Sequence, residues 1–254
     1  MTVWRRVRVL NLLIRNDNLV AVEPQQPPSD AVRRVLRSAA RLQELVPDAV
    51  LVGGSAAALY AHHRDSFDHD HVIADLADRY EQVLDAVEAS EGWATSVRAS
   101  RPPMTILGSL DGIEAGLRQM RRTRPLETVE FEIDPQARVV IPTAAEMLRV
   151  KAYLIVQRNY VRDYLDVAAM SDAIGIESAT GALQDIDNYY VDRSGESGSV
   201  LTAVVASLAD PKPRDTDVIA ELPRYKNLAP RWHDWAAVVE QCQELALRLA
   251  GARS

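Results

Sequence analysis

The stretch AVLVGGSAAALYA at residues 49–61, followed by FDHDHVI at residues 67–73, decides the fold. The first four residues are apolar and of strand length, two glycines end them, and the alanine-rich run from Ser55 favours a helix. Glycines at such a turn let the backbone approach a ligand closely, and the N-terminus of the helix favours an anion. The sequence therefore predicts that Gly53, Gly54 and Ser55 cradle phosphates, with the Ser55 hydroxyl as an additional donor.

The second stretch predicts a strand that carries two carboxylates. Because side chains on a strand alternate between its faces, Asp68 and Asp70 share one face while His69 and His71 share the other. Neighbouring carboxylates repel each other, and a hard divalent cation such as Mg²⁺ relieves that repulsion and can bridge to substrate phosphates. The strand, glycine turn, helix and Asp-x-Asp strand together predict nucleotide chemistry.

At this point the chain resembles the nucleotidyltransferase superfamily with the DNA polymerase beta-like fold, and in particular the AbiEii and MenT type toxin nucleotidyltransferases. The first matching block is Gly54-Ser55, a gap of twelve residues, and Asp68-His69-Asp70. The second matching block is IPTAAEMLRVK at residues 141–151, then Arg158, then RDYLD at residues 162–166. The resemblance covers roughly residues 30 to 175. The chain departs from the family at His69 and His71, where aliphatic residues are more usual. The two expected metal ligands, Asp68 and Asp70, are both present.

The resemblance implies an α+β nucleotidyltransferase fold, with a mixed β-sheet flanked by helices and followed by an α-helical C-terminal region. It implies Mg²⁺-dependent transfer of a nucleoside monophosphate from an NTP to an acceptor hydroxyl, and it nominates Lys151 and Asp166 for the active site, with Asp163 as the competing acid. It also implies tRNA, modified at its 3′ end, as the acceptor of a toxin that a cognate antitoxin protein restrains. Three alternatives stay open: a nucleotidyltransferase of small molecules such as aminoglycosides, a non-catalytic nucleotide-binding module, and a metal-dependent hydrolase built on histidines.

We predict three parts of the chain: a peripheral segment at 1–28, a nucleotidyltransferase core at 29–142, and an α-helical domain at 143–254 that contributes Lys151 and Asp166 to the site. Thr143 and Glu146 have the spacing of a capping box, so a helix should begin there. One straight helix would separate Lys151 from Asp166 by roughly 22 Å at ~1.5 Å per residue. We therefore predict a break near residues 158–160 that folds a second helix back.

A third carboxylate is expected near the first two. Residues 128–133 alternate as a strand does, with Glu130 and Glu132 on one face. In the broader superfamily a strand next to the Asp-x-Asp strand often offers another acid, so the resemblance nominates Glu132 or Glu130 as a metal ligand. A half-exposed edge strand with solvated glutamates is the alternative.

Arginines concentrate around residue 120. We predict a helix at residues 113–120, and the i, i+3, i+4 spacing then places Arg118, Arg121 and Arg122 on one helical face. They would form a clamp for RNA or triphosphate, or else an ordinary solvated helix end whose cations the helix dipole favours. Their concentration within an acidic chain favours the clamp.

Histidines and aromatic residues carry two further hypotheses. Four of the five histidines lie within ten residues, at His62, His63, His69 and His71. Imidazole suits zinc, iron or nickel, although hydrogen-bonded structural histidines are the alternative. Trp232, Trp235 and Tyr225 could stack on bases, or they anchor a helical bundle.

Composition sets outer limits on the function. The chain has 254 residues, 47% of them hydrophobic, which is enough for a sizeable core. Its net charge of −7 argues against a nucleic-acid binder that uses its whole surface. No apolar run approaches the ~18 residues that cross a bilayer, and Asn11 interrupts the signal-like start at residues 1–14. The single cysteine, Cys242, rules out an internal disulfide framework, and we expect a cytoplasmic protein without a membrane partner.

Overall fold

The computed structural model describes residues 29–191, 198–225 and 227–252. The expectations for the peripheral segment 1–28, including its signal-like start, lie outside these described residues. The first elements are α1 (Asp30–Leu45), β1 (Val50–Val52), α2 (Gly53–Ala61), β2 (Asp68–Ile73), α3 (Tyr80–Glu88), β3 (Trp93–Thr95), β4 (Thr105–Leu110) and β5 (Ile113–Gln119). The later elements are β6 (Thr128–Asp134), β7 (Ala137–Pro142), α4 (Ala144–Arg158), α5 (Val161–Ile174), α6 (Ile176–Leu183), α7 (Val200–Ala209) and α8 (Trp235–Gly251). Short 3₁₀ turns lie at Ile186–Asn188, Thr216–Arg224 and Pro230–His233.

Five strands form one mixed sheet in the order β1-β2-β5-β4-β3. The central pair, β2 and β5, runs parallel, and the other neighbouring strands run antiparallel. Helices flank this sheet, and the segment after residue 143 is helical. The predicted α+β class, with a mixed sheet and a helical C-terminal region, is confirmed.

The helix predicted at residues 113–120 is wrong, because this segment is the strand β5. Its backbone bonds to β2 on one side and to β4 on the other, while Ala115 and Leu117 are buried in the core. The turn before it is a two-residue hairpin, in which Asp111 and Gly112 have φ of 51° and 78°. Positive φ at both central residues is the geometry of a type I′ turn.

The strand predicted at residues 128–133 is confirmed as β6, but it lies away from the Asp-x-Asp strand. It pairs with β7 in a separate two-stranded sheet. The neighbours of β2 are β1 and β5. The expectation that this strand offers an acid beside Asp68 and Asp70 is therefore wrong.

The predicted break near residues 158–160, after which a second helix folds back, is confirmed. The Thr143 hydroxyl accepts a hydrogen bond from the Glu146 N–H at 3.2 Å and begins α4. That helix ends at Asn159, whose left-handed conformation (φ 55°, ψ 56°) turns the chain before α5 begins. Helix α5 then packs against both α4 and α2.

One apolar core crosses the boundary between residues 142 and 143. It joins Leu36 of α1, Leu59 of α2 and Ile141 of β7 to Leu148 and Leu165 of the helical region. A second core, which includes Ile73 and Leu117, lies behind the mixed sheet. Of the helices in the described ranges, none is both long and apolar enough to span a membrane.

His69 and His71 occupy the buried face of β2, opposite the two acids, as the alternation predicts. The His69 Nε2 atom lies 3.0 Å from the Ser38 hydroxyl of α1. Burial lowers the pKa of both rings, that of His69 to about 4. Both rings are therefore neutral, and they pack in the core at positions where aliphatic side chains were expected.

We expect the free energy of unfolding to decrease below pH 6.5. The unfolded chain protonates His69 near its ordinary pKa, whereas the folded chain resists protonation until about pH 4. Between pH 7.5 and 5.5 this single ring should cost about 1.4 kcal/mol. Urea unfolding at both pH values should give a smaller decrease for His69→Gln than for the unsubstituted protein. Equal decreases in the two proteins would contradict this assignment.

Candidate active site

The site residues line an open cleft of about 790 Å³. Gly53 and Gly54 enter it from the start of α2, Asp68 and Asp70 from β2, and Lys151 from α4. The sheet and the helical region thus each contribute one wall. The structure brings the two matching sequence blocks to one place.

Steric constraints favour glycine at both positions of the turn. Gly53 has φ of +76°, a conformation that glycine adopts without strain. A Cβ atom on Gly54 would lie 2.7 Å from Arg64 Nη2 and 2.8 Å from Ser66 Oγ. The bare Gly54 backbone therefore lets an arginine and a serine pack directly against the start of the helix.

The Ser55 hydroxyl does not point into the cleft. It donates to the backbone carbonyl of Asp68 at 2.6 Å, and its side chain is buried. The expectation that this hydroxyl binds a ligand is wrong, because the group is used to join α2 to β2. Ser66 lines the cleft, and its hydroxyl donates to Asp68 Oδ1 at 2.8 Å.

A third acid faces the cleft from β5. The parallel register places Glu114 beside Asp68 and Gly116 beside Asp70, so these side chains share one face of the sheet. Glu114 is exposed and lines the cleft. Sequence reasoning missed it because the segment was predicted as a helix. The Asp111-Gly112 dipeptide between two apolar runs was the available hairpin signal.

Glu130 and Glu132, the nominated acids, are exposed on β6 and do not line the cleft. Glu130 faces Arg138 of the neighbouring strand at 3.6 Å. They match the alternative of solvated glutamates on a two-stranded sheet.

The donor chemistry of the cleft fits Mg²⁺, which prefers carboxylate oxygens. Asp68, Asp70 and Glu114 supply such oxygens from adjacent strands. Within the described part of the chain, no three His, Cys, Asp or Glu side chains lie close enough together to hold a metal. Asp70 Oδ1 instead accepts a hydrogen bond from Arg118 Nε at 3.1 Å.

The four histidines do not form a common metal site. His62 is exposed at the end of α2, and His63 contacts Asp166. His69 and His71 lie on the opposite face of the sheet from the acids. The structure therefore supports the structural alternative over a transition-metal hydrolase.

Asp166 is fully buried beneath the cleft and binds Lys151, as the helix break allows. Lys151 Nζ lies 2.6 Å from Asp166 Oδ2. Arg64 donates to both carboxylate oxygens, at 3.0 and 3.2 Å, and His63 Nε2 lies 2.7 Å from Oδ1. Arg64 was not predicted as a site residue, and His63 was predicted only as a member of the histidine cluster. Both lie in the loop between α2 and β2.

Electrostatics define the role of Asp166. Burial by itself raises the pKa of this carboxyl, but Arg64 and Lys151, with a hydrogen bond from His63, hold its pKa well below the ordinary value. Burial lowers the pKa of His63, so the ring is neutral. Asp166 therefore stays ionised and positions two cations; it is a poor proton acceptor.

Asp163, the competing acid, lies in a separate ion pair. Its two oxygens accept from Arg158 at 2.6 and 2.7 Å. Arg158 is the last residue of the preceding helix. This pair closes the turn between α4 and α5.

The three nominated arginines differ in their surroundings. Arg118 and Arg121 are exposed and line the cleft. Arg122 is buried, and it lies 2.7 Å from the buried carboxylate of Glu146. Their shared helical face does not exist, because Arg118 ends a strand and the other two follow it. Arg122 is consequently a structural residue.

The aromatic residues near the C-terminus mostly anchor helices. Trp232 is buried, and Trp235 packs its edge against Tyr164 with ring centroids 6.1 Å apart. Tyr225 lines the cleft and lies 5.8 Å from the Arg64 guanidinium. The tryptophans therefore match the packing alternative.

Replacing the buried carboxylate should strongly destabilise the protein. In Asp166→Asn, Lys151 and Arg64 lose a buried counter-charge, and the free energy of unfolding should fall by about 3–5 kcal/mol. Asp172→Asn on the same helix removes an exposed partner of Arg231 and should cost under ~1 kcal/mol. Urea denaturation of the two variants measures this contrast. Similar small losses in both would contradict the proposed role of Asp166.

The chain is similar in sequence to parts of two longer mycobacterial proteins. No protein-family model matches the sequence. The heme uptake protein MmpL11 of Mycobacterium tuberculosis H37Rv is 31% identical over 209 residues, which cover 74% of this chain and 20% of that protein. The mycolic acid-containing lipids exporter MmpL11 of Mycolicibacterium smegmatis is 28% identical over 247 residues, covering 96% of this chain and 24% of that protein. The chain thus spans about a quarter or less of the length of these curated relatives.

Among solved structures, the chain is similar to MenT4, a nucleotidyltransferase toxin from Mycobacterium tuberculosis H37Rv. The TM-score is 0.51 at 14% identity, and the match covers 86% of this chain and 82% of MenT4. At this identity the likeness concerns the fold. The mixed sheet with its flanking helices and the C-terminal helical region therefore form a nucleotidyltransferase fold.

Proposed function

We propose that this protein is a Mg²⁺-dependent nucleotidyltransferase that transfers a nucleoside monophosphate from an NTP to an acceptor hydroxyl. The observation that carries the proposal is the convergence of the glycine turn, the Asp68/Asp70 pair and the Lys151–Asp166 pair on one cleft. These residues come from elements up to 113 positions apart, from Gly53 to Asp166. Local sequence pattern alone does not require them to meet.

Charge within the cleft is divided in a way that suits a metal–triphosphate ligand. Asp68, Asp70 and Glu114 form an acidic side on the sheet. Arg64 and Lys151 share the single counter-charge of Asp166 and keep one net positive charge beside the glycine turn. A helix N-terminus adds further positive potential there.

The proposed roles follow from this division. Asp68 and Asp70 would hold Mg²⁺, which when bound would activate the attacking oxygen and neutralise charge on the leaving pyrophosphate. Glu114 adds a third carboxylate on the neighbouring strand, beside Asp68. Gly53, Gly54 and the Ser55 backbone receive the β and γ phosphates. Lys151 neutralises triphosphate charge, and Asp166 positions Lys151. The acceptor hydroxyl oxygen bonds to the α-phosphorus and releases its proton to solvent, while the bond from the α-phosphorus to the pyrophosphate oxygen breaks.

The acceptor we propose is the 3′ end of tRNA. Seven Lys and Arg and three Asp and Glu line the cleft within the described ranges, but Arg122 and Arg158 are neutralised by Glu146 and Asp163 behind it. The remaining cations support a polyanionic acceptor over a cationic aminoglycoside. Arg121 and Arg162 are exposed there and form no ion pair within the described residues. We further propose that the protein acts as a toxin in the cytoplasm under the control of an antitoxin, as MenT4 is a toxin.

Label transfer tests this proposal. Each of four α-³²P-labelled NTPs is incubated with total tRNA and Mg²⁺, using the unsubstituted protein and Asp70→Asn. One NTP should label tRNA, and Asp70→Asn should reduce labelling by more than about a hundredfold, since even outer partners of metal ligands contribute about 10- to 100-fold. Labelling that Asp70→Asn leaves intact would contradict the assigned site. If tRNA stays unlabelled, tRNA is not the acceptor.

A matched pair of glutamate substitutions tests the third acid. Glu114→Gln should reduce label transfer by about tenfold or more, because it removes a carboxylate beside Asp68. Glu132→Gln removes the same charge from β6, outside the cleft, and should leave transfer close to that of the unsubstituted protein. If Glu132→Gln reduced label transfer more than Glu114→Gln did, the third acid would instead be Glu132 of β6.

A further inference from the structure

Arg118 contacts one of the two proposed metal ligands directly. Its Nε atom donates to Asp70 Oδ1 at 3.1 Å, from the end of the strand that runs beside β2. Gly116, the register partner of Asp70, makes room for this contact. A Cβ atom on Gly116 would lie 2.4 Å from Asp70 Oδ1. The carboxylate therefore lies over β5, in reach of the arginine.

Asp68 has a different partner, the Ser66 hydroxyl at 2.8 Å. Ser66 and Arg118 thus each bind one of the two carboxylates. A divalent cation bound between them requires oxygens from both at about 2.0–2.1 Å. Arg118 competes with such a cation for Oδ1 of Asp70.

The Arg118–Asp70 pair is suited to exchange. Its side chains are 46% and 35% exposed, and exposed pairs of this kind are weak. The Arg64–Asp166 pair, by contrast, is buried on both sides. Arg118 is therefore able to leave its partner at low cost, whereas Arg64 is fixed.

We propose that Arg118 couples cation binding to nucleotide binding, an inference that rests on the proposed function. A triphosphate in the same cleft offers the guanidinium several charged oxygens, and arginine binds phosphate in a bidentate manner. Arg118 then moves from Asp70 to the triphosphate, and Asp70 becomes available to the cation. Each ligand consequently strengthens the binding of the other by the same factor.

Cation binding to the full chain without nucleotide gives the first test. Electron paramagnetic resonance of Mn²⁺ should show Arg118→Gln binding the ion about fivefold more tightly than the unsubstituted protein, the upper range for an exposed pair. Arg121→Gln is the matched control, because it removes the same charge from the same cleft without a contact to Asp70. It should tighten binding by less than about twofold. Equal effects of the two substitutions would overturn the proposal.

Coupling gives the second test. Calorimetry with each α,β-methylene NTP in turn, in excess Mg²⁺ and in EDTA, yields the factor by which the metal strengthens nucleotide binding. This factor should be smaller in Arg118→Gln, by about the same fivefold. An unchanged factor would overturn the coupling while label transfer still stands. If Asp70→Asn binds Mn²⁺ as tightly as the unsubstituted protein, the metal site itself is wrong and both proposals fail.

Discussion

The buried carboxylate of Asp166 is the interaction on which the geometry of the site depends. It binds Lys151 of α4 together with His63 and Arg64 from the loop between α2 and β2. Burying these charges carries a desolvation cost that an apolar cluster would avoid, so stability alone does not explain the arrangement. Its effect is positional, since it fixes a lysine and an arginine beside the glycine turn.

The parallel pairing of β2 and β5 supplies the opposite charge. Two acids of β2 and Glu114 of β5 share one face because the register aligns them. The same register places glycine beside Asp70, which leaves its carboxylate free to meet Arg118. Acids on the sheet therefore face the same cleft as Lys151 of α4 and Arg64 of the loop between α2 and β2. This separation suits a ligand that is itself a cation bound to a polyanion.

Local sequence patterns were sufficient to predict those elements whose structure depends mainly on neighbouring residues. Alternation predicted which face of β2 carries the acids, and the cap at Thr143 predicted where α4 begins. The resemblance nominated Lys151 and Asp166, and the break near Asn159 was inferred because one straight helix would keep them apart. Strand β5 was missed because Glu, Ala, Leu, Arg, Gln and Met favour a helix locally, and pairing with two neighbouring strands overrides that preference. Glu114 was missed with it. The partners of Ser55 and Arg122 depend on tertiary contacts that spacing does not encode.

A crystal structure with Mn²⁺ and an α,β-methylene NTP, with anomalous diffraction recorded at the manganese edge, tests the proposed site most directly. We expect a manganese peak between the carboxylates of Asp68 and Asp70, with the triphosphate extending to the glycine turn and Lys151. A manganese peak elsewhere, or a triphosphate bound away from Gly53 and Gly54, would contradict the proposed site.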